Sequence, residues 1–343
     1  MNQHYLFFIT QNYSFEILRP LQKEIQSQGG KVLWFVYGNE VNVGNFHSDE
    51  NYAIDPAQAI TFNPLATYVP GNVVPKFIPG LKIQVFHGLE WKKKGHFGMR
   101  GCFDLYCTHG PATTTRFNKL ANKFGYFDVI ETGWPKLDGL FTSPAYQWDE
   151  KTENPTILFA PTFSPALTAA PALFSEISRL SREKSWQWLI KFHPKMDPIW
   201  IEKYETLTNT NLKVVDDCDV APLLQAADIM VSDTSSVIGE FSLLGKPAVT
   251  LNNSQPGDYL VDIQSENELE KAIESALTPS TTLAAYIKEY ALDLHPYDDG
   301  ASALRIWQAT QDMLKNGRSH LKSKPLSIFR NLQMRRKLGY WKL

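Results

Sequence analysis

Residues 228–251, DIMVSDTSSVIGEFSLLGKPAVTL, pass from an apolar run through a polar turn and helical spacing to a second apolar run. That order fits a βαβ unit of a parallel sheet and little else. The first run, 229–231, ends in Ser232, Asp233, Thr234, Ser235 and Ser236, whose hydroxyl and carboxylate groups suit a helix start. Val237, Ile238, Phe241 and Leu244 then recur at helical spacing, Gly245 stands where a left-handed cap would close the helix, and Pro247 precedes a strand at 248–251. A helix beginning in such a turn presents unpaired N–H groups and a positive dipole end, which suits a phosphate. The alternative is that Ser235 or Ser236 only caps the helix. Glu240, one turn on, suits either ribose hydroxyls or the helix dipole.

The same alternation runs through the chain. Apolar runs at 5–10, 31–37, 66–69, 82–86, 104–108 and 128–132 predict strands of a first parallel sheet, with helices after the first strand and at 111–124. No GxGxxG joins the first strand to its helix, so a dinucleotide is not expected there. Prolines break up 38–80. A polar, proline-punctuated stretch at 140–155 predicts a domain boundary. Beyond it, strands at 156–160, 186–192 and 212–215 alternate with helices at 172–182, 199–206 and 220–226; further helices follow at 266–277, 283–292 and 301–314. The expected architecture is α/β, with two facing Rossmann-like, doubly wound parallel sheets and a cleft between them. The expected domains are 1–145, 146–314 and a basic tail, 315–343.

A chain of 343 residues is long for one core. A net charge of -2 argues against bulk nucleic-acid binding. Cys102, Cys107 and Cys218 lack metal-type spacing and are too few for a disulfide framework, so buried thiols in a reducing compartment are expected. No stretch has the length of a membrane span, and a cytoplasmic protein is the expectation. The tail, however, holds Lys315, Arg318, Lys322, Lys324, Arg330, Arg335, Arg336, Lys337 and Lys342 with no acid, interleaved with apolar residues. It suits an anionic membrane surface, or a helix packed back on the first domain.

Ligands of doubly wound sheets sit at the C-terminal strand ends. There the chain places His87 with Gly88, Pro161 with Thr162, Lys191 with His193, and the 232–236 turn. The basic loop after His87, with Lys92, Lys93, Lys94 and Arg100, suits either an anionic substrate or open solvent. Two histidines at equivalent edges of two domains fit a base on one side and charge stabilisation on the other. No carboxylate cluster asks for a metal.

Six pieces in order, HG at 87–88, TGWPKLD at 132–138, FAPTF at 159–163, KFHP at 191–194, SDTSSVIGEFSLLGKP at 232–247 and DDGAS at 298–302, resemble the CDP-glycerol glycerophosphotransferase family of teichoic-acid primases and polymerases. The resemblance implies a GT-B fold and peripheral attachment to the inner face of the cell membrane. It also implies transfer of glycerol phosphate from CDP-glycerol, without a further cofactor, to a lipid-linked or polymeric saccharide hydroxyl, with release of CMP. It implies His87 as general base, His193 at the donor phosphates, and phosphate contacts from Ser235 and Ser236. Lys136 stands where the family has arginine and loses a bidentate fork; Thr234 replaces a tyrosine, and Glu240 an aspartate. With Lys191, Ser232, Asp233, Pro161 and Thr162 these form the expected donor site, and Gly88, Lys136 and Asp138 are further candidates. A GT-B sugar transferase, a sugar-nucleotide epimerase and a non-catalytic assembly protein are the alternatives.

Overall fold

The computed structural model describes residues 3–89, 97–149, 152–216 and 218–341, and the chain divides into two compact units, 1–139 with 294–343 and 140–293. Lys92, Lys93, Lys94 and Lys342 lie outside the described residues.

The first unit is built on a seven-stranded parallel sheet of β1 (His4–Ile9), β2 (Lys31–Val36), β3 (Tyr52–Ala53), β4 (Ala66–Val69), β5 (Leu81–Gln84), β6 (Leu105–Thr108) and β7 (Asp128–Glu131), in the order β3-β2-β1-β4-β5-β6-β7. Its first strand is a continuous apolar run because both faces are covered: Tyr5, Leu6, Phe7, Phe8 and Ile9 are all buried. The helices are α1 (Ser14–Ser27), α2 (Pro56–Thr61) and α3 (Pro111–Phe124). The chain leaves the unit within α4 (Asp138–Thr142).

The second unit holds six parallel strands, β8 (Thr156–Phe159), β9 (Gln187–Ile190), β10 (Leu212–Val214), β11 (Ile229–Ser232), β12 (Ala248–Leu251) and β13 (Leu260–Ile263), ordered β10-β9-β8-β11-β12-β13. This is the Rossmann order. Its helices are α5 (Ala170–Glu183), α6 (Pro198–Glu205), α7 (Val220–Ala226), α8 (Val237–Ser242) and α9 (Leu269–Leu277). Trp188, Phe159, Leu173, Ile177 and Tyr204 fill one side of the sheet. The α8 segment ends as its sequence suggests, with Gly245 at φ +72°.

The chain returns to the first unit within α10 (Thr281–Leu294) and adds α11 (Ser302–Asn316) and α12 (Ile328–Leu338) there. The expected second domain, 146–314, is therefore too long by α11. That helix buries Ala303, Ile306, Trp307 and Thr310; Trp307 meets Tyr5 edge-on at 5.0 Å, and the Tyr68 hydroxyl donates to Thr310 at 3.0 Å. Amphipathic spacing shows that a helix has a buried face and not which sheet will cover it.

Candidate active site

In each unit the strand order reverses between two neighbouring strands, β1 and β4 in the first and β8 and β11 in the second. Connections leave such a pair in opposite directions and open a crevice at the C-terminal ends. Both expected histidines stand at or next to these crevices.

His87 follows β5, and the backbone reaches it through Phe86, a buried aromatic held at φ +58°. That left-handed conformation is strained for a side chain with a Cβ, and packing holds it: Phe86 meets Phe117 at 5.1 Å and His109 at 5.3 Å. The bend exposes the His87 ring, which stacks on Tyr13, from the β1–α1 turn, at 5.5 Å. Its Nδ1 lies 3.0 Å from the Pro70 carbonyl at the end of β4. A carbonyl only accepts, so Nδ1 carries the hydrogen and the neutral ring keeps its lone pair on Nε2. Gly88 is half-buried beside it, with open space where a Cβ would stand.

His193 has the opposite wiring. It is exposed, stacks on Phe163 at 4.4 Å, and its Nδ1 accepts from the Lys195 backbone N–H at 3.0 Å. Nε2 therefore bears the hydrogen. Burial of part of the ring, and then the Lys195 cation, hold its pKa below the ordinary histidine value, which favours this neutral donor form. Lys191 donates to the Asp216 carbonyl at 3.1 Å.

The turn after β11 corrects two expectations. Asp233 is fully buried, and its carboxylate accepts from the backbone N–H groups of Thr162 at 2.9 Å, Ala169 at 2.8 Å and Thr234 at 2.5 Å. Ser232 is equally buried and donates to the Ala160 carbonyl at 2.7 Å. Both bind this chain's own backbone, clamping the 160–169 segment, Pro161 and Thr162 included, to the turn, and neither is exposed. Thr234 Oγ1 accepts from the Ser254 N–H at 3.0 Å, and the Asn253 amide donates to the Asp233 carbonyl at 2.6 Å. Ser236 stands at the N-cap of α8 in a helical conformation without a side-chain cap bond, so its hydroxyl does not cap the helix. Half-buried Ser235 and exposed Ser236 border the turn, and Glu240 is buried one turn on.

Asp138 is also corrected. Its carboxylate accepts from the N–H groups of Ser302 and Ala303, both at 2.8 Å, and so caps α11. The TGWP turn meets the same helix start: a Cβ on Gly133, at φ +78°, would lie 2.5 Å from Ser302 Oγ and 2.8 Å from His295 Nε2. Arg305 donates to the Thr132 carbonyl at 2.9 Å. Lys136 pairs with Glu16 at 3.5 Å. These two motifs lock α11 to the end of β7.

Buried His295 accepts from the Trp134 N–H at 2.9 Å and donates through Nδ1 to the Tyr297 carbonyl at 2.8 Å. Burial lowers its pKa from the ordinary 6.5 to about 4. Its contribution is thus complete above pH 6.5 and lost as pH falls through 4, because the unfolded chain takes the proton first. Denaturant titrations from pH 7 to 4 should show a loss of roughly 3 kcal/mol in the parent protein that His295→Gln lacks. Parallel curves would place the acid sensitivity elsewhere.

Sequence reasoning missed Tyr13, Phe163 as a stacking partner, Asn253 and His295. Only Phe163, inside FAPTF, carried a signal. Among the described residues no group of three or more His, Cys, Asp or Glu forms a metal-type cluster, and no helix is long and apolar enough to cross a membrane.

A family model described as CDP-Glycerol:Poly(glycerophosphate) glycerophosphotransferase matches residues 103–311, more than half of the chain. His193 and the 232–240 turn fall inside that match and His87 outside it. The chain is 28% identical over 190 residues to the teichoic acid glycerol-phosphate primase of Bacillus subtilis (strain 168), covering 48% of each protein. To the primase of Bacillus spizizenii it is 36% identical over 186 residues, covering 46% of this chain and 48% of the relative. The chain thus spans about half the length of the curated relatives it matches. In fold it is similar to a putative UDP-N-acetylglucosamine 2-epimerase from Listeria monocytogenes, with a TM-score of 0.65, 13% identity, and 95% of this chain and all of that one covered. The wall teichoic acid polymerase TagF gives a TM-score of 0.62 at 15% identity, covering 91% of this chain and 89% of that one. The fold is α/β of the GT-B type.

Proposed function

The chain belongs to the CDP-glycerol:poly(glycerophosphate) glycerophosphotransferase family, and from that premise we propose that it transfers glycerol phosphate from CDP-glycerol to a hydroxyl of a lipid-linked or polymeric saccharide acceptor. The acceptor oxygen attacks the glycerol-bearing phosphorus in line; its proton passes to His87 Nε2, the bond to the bridging oxygen breaks, and CMP leaves. Most of the catalysis is positioning and electrostatic stabilisation.

The observation that carries the assignment of roles is the opposite wiring of the two histidines. The Pro70 carbonyl leaves His87 a free lone pair, as a base requires, and the Lys195 N–H leaves His193 a donor for phosphate oxygens. Ser235 and Ser236 supply further donors to the diphosphate, Lys191 offsets its charge, and Glu240 lies toward the ribose. Gly88 and Lys136 complete the acceptor side. Asp233 and Ser232 hold the turn through the backbone, and Asp138 holds the start of α11.

His193→Ala should weaken donor binding by about 1.5–3 kcal/mol, since a hydrogen bond to a charged oxygen is of that size. Calorimetric titration with CDP-glycerol measures it. Unaltered affinity in a folded protein would move His193 away from the donor phosphates.

A further inference from the structure

A cation to which the transferase reading gives no part stands beside His193. Lys195 is exposed, and among the described residues no carboxylate or carbonyl engages its Nζ, whereas Lys191 Nζ is spent on the Asp216 carbonyl at 3.1 Å. Residues 193–195 are the exposed crown of a tight turn. The Met196 N–H donates to the His193 carbonyl at 2.8 Å, and buried Phe192 and Met196 anchor the turn on either side in the core of the second unit. The backbone is thus fixed, while the His193 and Lys195 side chains stand at the surface.

Phe163 holds both of them. Its ring lies 4.4 Å from the His193 ring at an angle of 29°, and Lys195 Nζ lies over the same ring, 5.9 Å from its centre. Stacking at that spacing fixes the plane of an imidazole, and an aromatic face attracts an ammonium. At 37% exposure Phe163 does not owe its place to burial. It owes it to Asp233, whose carboxylate takes the N–H of Thr162, one residue before, and of Ala169, six residues after. Between those two points the N–H groups of Leu167 and Thr168 both donate to the Ser164 carbonyl at 2.9 Å, so the segment that carries Phe163 is bonded internally as well.

One aromatic plate therefore carries two donors of unlike kind, a neutral N–H on His193 and a cation on Lys195. The cation is close enough to act on the imidazole: after burial, it is the second cause of the lowered His193 pKa. An anion shared by the two groups relieves that repulsion, and a diphosphate has oxygens for both. We propose that Lys195 is a further contact to the donor diphosphate and that Phe163 is the positioning residue that sets Lys195 and His193 as a pair, an assignment that rests on the reading of His193 as a donor to those phosphates.

Calorimetric titration with CDP-glycerol, joined to NMR titration of His193 in the nucleotide-free protein, tests both parts. Lys195→Met should weaken donor binding roughly tenfold or more, as the loss of one hydrogen bond to a charged oxygen does. Lys203→Met removes another exposed cation of the same unit, one that lies over Trp200 instead of Phe163, and should cost much less. Phe163→Leu keeps an apolar side chain and loses the plate. Donor affinity should fall about three- to tenfold, and the His193 titration should move up toward the ordinary histidine value as the ring is uncovered. Phe163→Tyr should restore both, and in a His193→Ala background Phe163→Leu should cost less than in the parent, because it acts through that ring. A loss in Lys195→Met no greater than in Lys203→Met, where His193→Ala does lose affinity, would remove Lys195 from a donor site that still stands. An unmoved His193 titration in Phe163→Leu, or equal losses in the Leu and Tyr variants, would overturn the role of Phe163. Unaltered affinity in His193→Ala would sink the donor reading itself, and this pair with it.

Discussion

His87→Ala should lower turnover by roughly 10²–10⁴ while leaving affinity for CDP-glycerol close to that of the parent. The reason lies in where the ring is held. Pro70 fixes its tautomer and Tyr13 its plane, both from the first unit, whereas the turn proposed for the donor phosphates is formed wholly within the second. Loss of the base should therefore appear in kcat. A companion variant, Tyr13→Leu, removes the stacked ring without touching the imidazole, and should lower turnover more than donor affinity. His87→Ala at the parent rate would remove this histidine from the mechanism.

Asp233→Ala should be the most damaging change in the second unit. It leaves the buried N–H of Ala169 and the half-buried N–H groups of Thr162 and Thr234 without their carboxylate, and an orphaned buried donor costs about 1–3 kcal/mol. A loss of at least about 3 kcal/mol in denaturant unfolding is expected, with donor binding lost alongside because the 160–169 segment is released from the turn. Asp233→Asn keeps one acceptor oxygen and should lose less. Parent stability in the alanine variant would contradict the clamp.

The sequence made the strands readable where burial on both faces leaves an unbroken apolar run, as in β1, β8 and β11. It hid those whose pattern is too short or too mixed. Tyr52–Ala53 is two residues long, and in Leu260–Ile263 only the two ends are buried, so neither rises above the loops around it. The α11 helix was visible as a helix and not as part of the first unit, because its partners, Tyr5 and Tyr68, lie more than two hundred residues away.

At the site, the positions of His87 and His193 were legible because strand ends are legible. Their tautomers were not, since each is set by one backbone group, Pro70 or Lys195, whose approach no spacing reveals. Asp233 and Asp138 misled for a related reason. A carboxylate in a polar turn reads as a ligand group, and only its burial among backbone N–H groups shows that it holds the turn instead. The 38–80 segment, which matched no motif, supplied Pro70 and the carbonyls around Lys82.

The most direct measurement is the identity of the nucleotide released when the protein meets CDP-glycerol and a lipid-linked saccharide acceptor, with uridine diphosphate sugars offered in parallel. Glycerol phosphate transfer predicts CMP in step with glycerol phosphate incorporated into the acceptor, and neither product from His87→Ala at a comparable rate. Release of UDP, an epimerised sugar nucleotide, or no CMP from a folded protein that binds CDP-glycerol would contradict it.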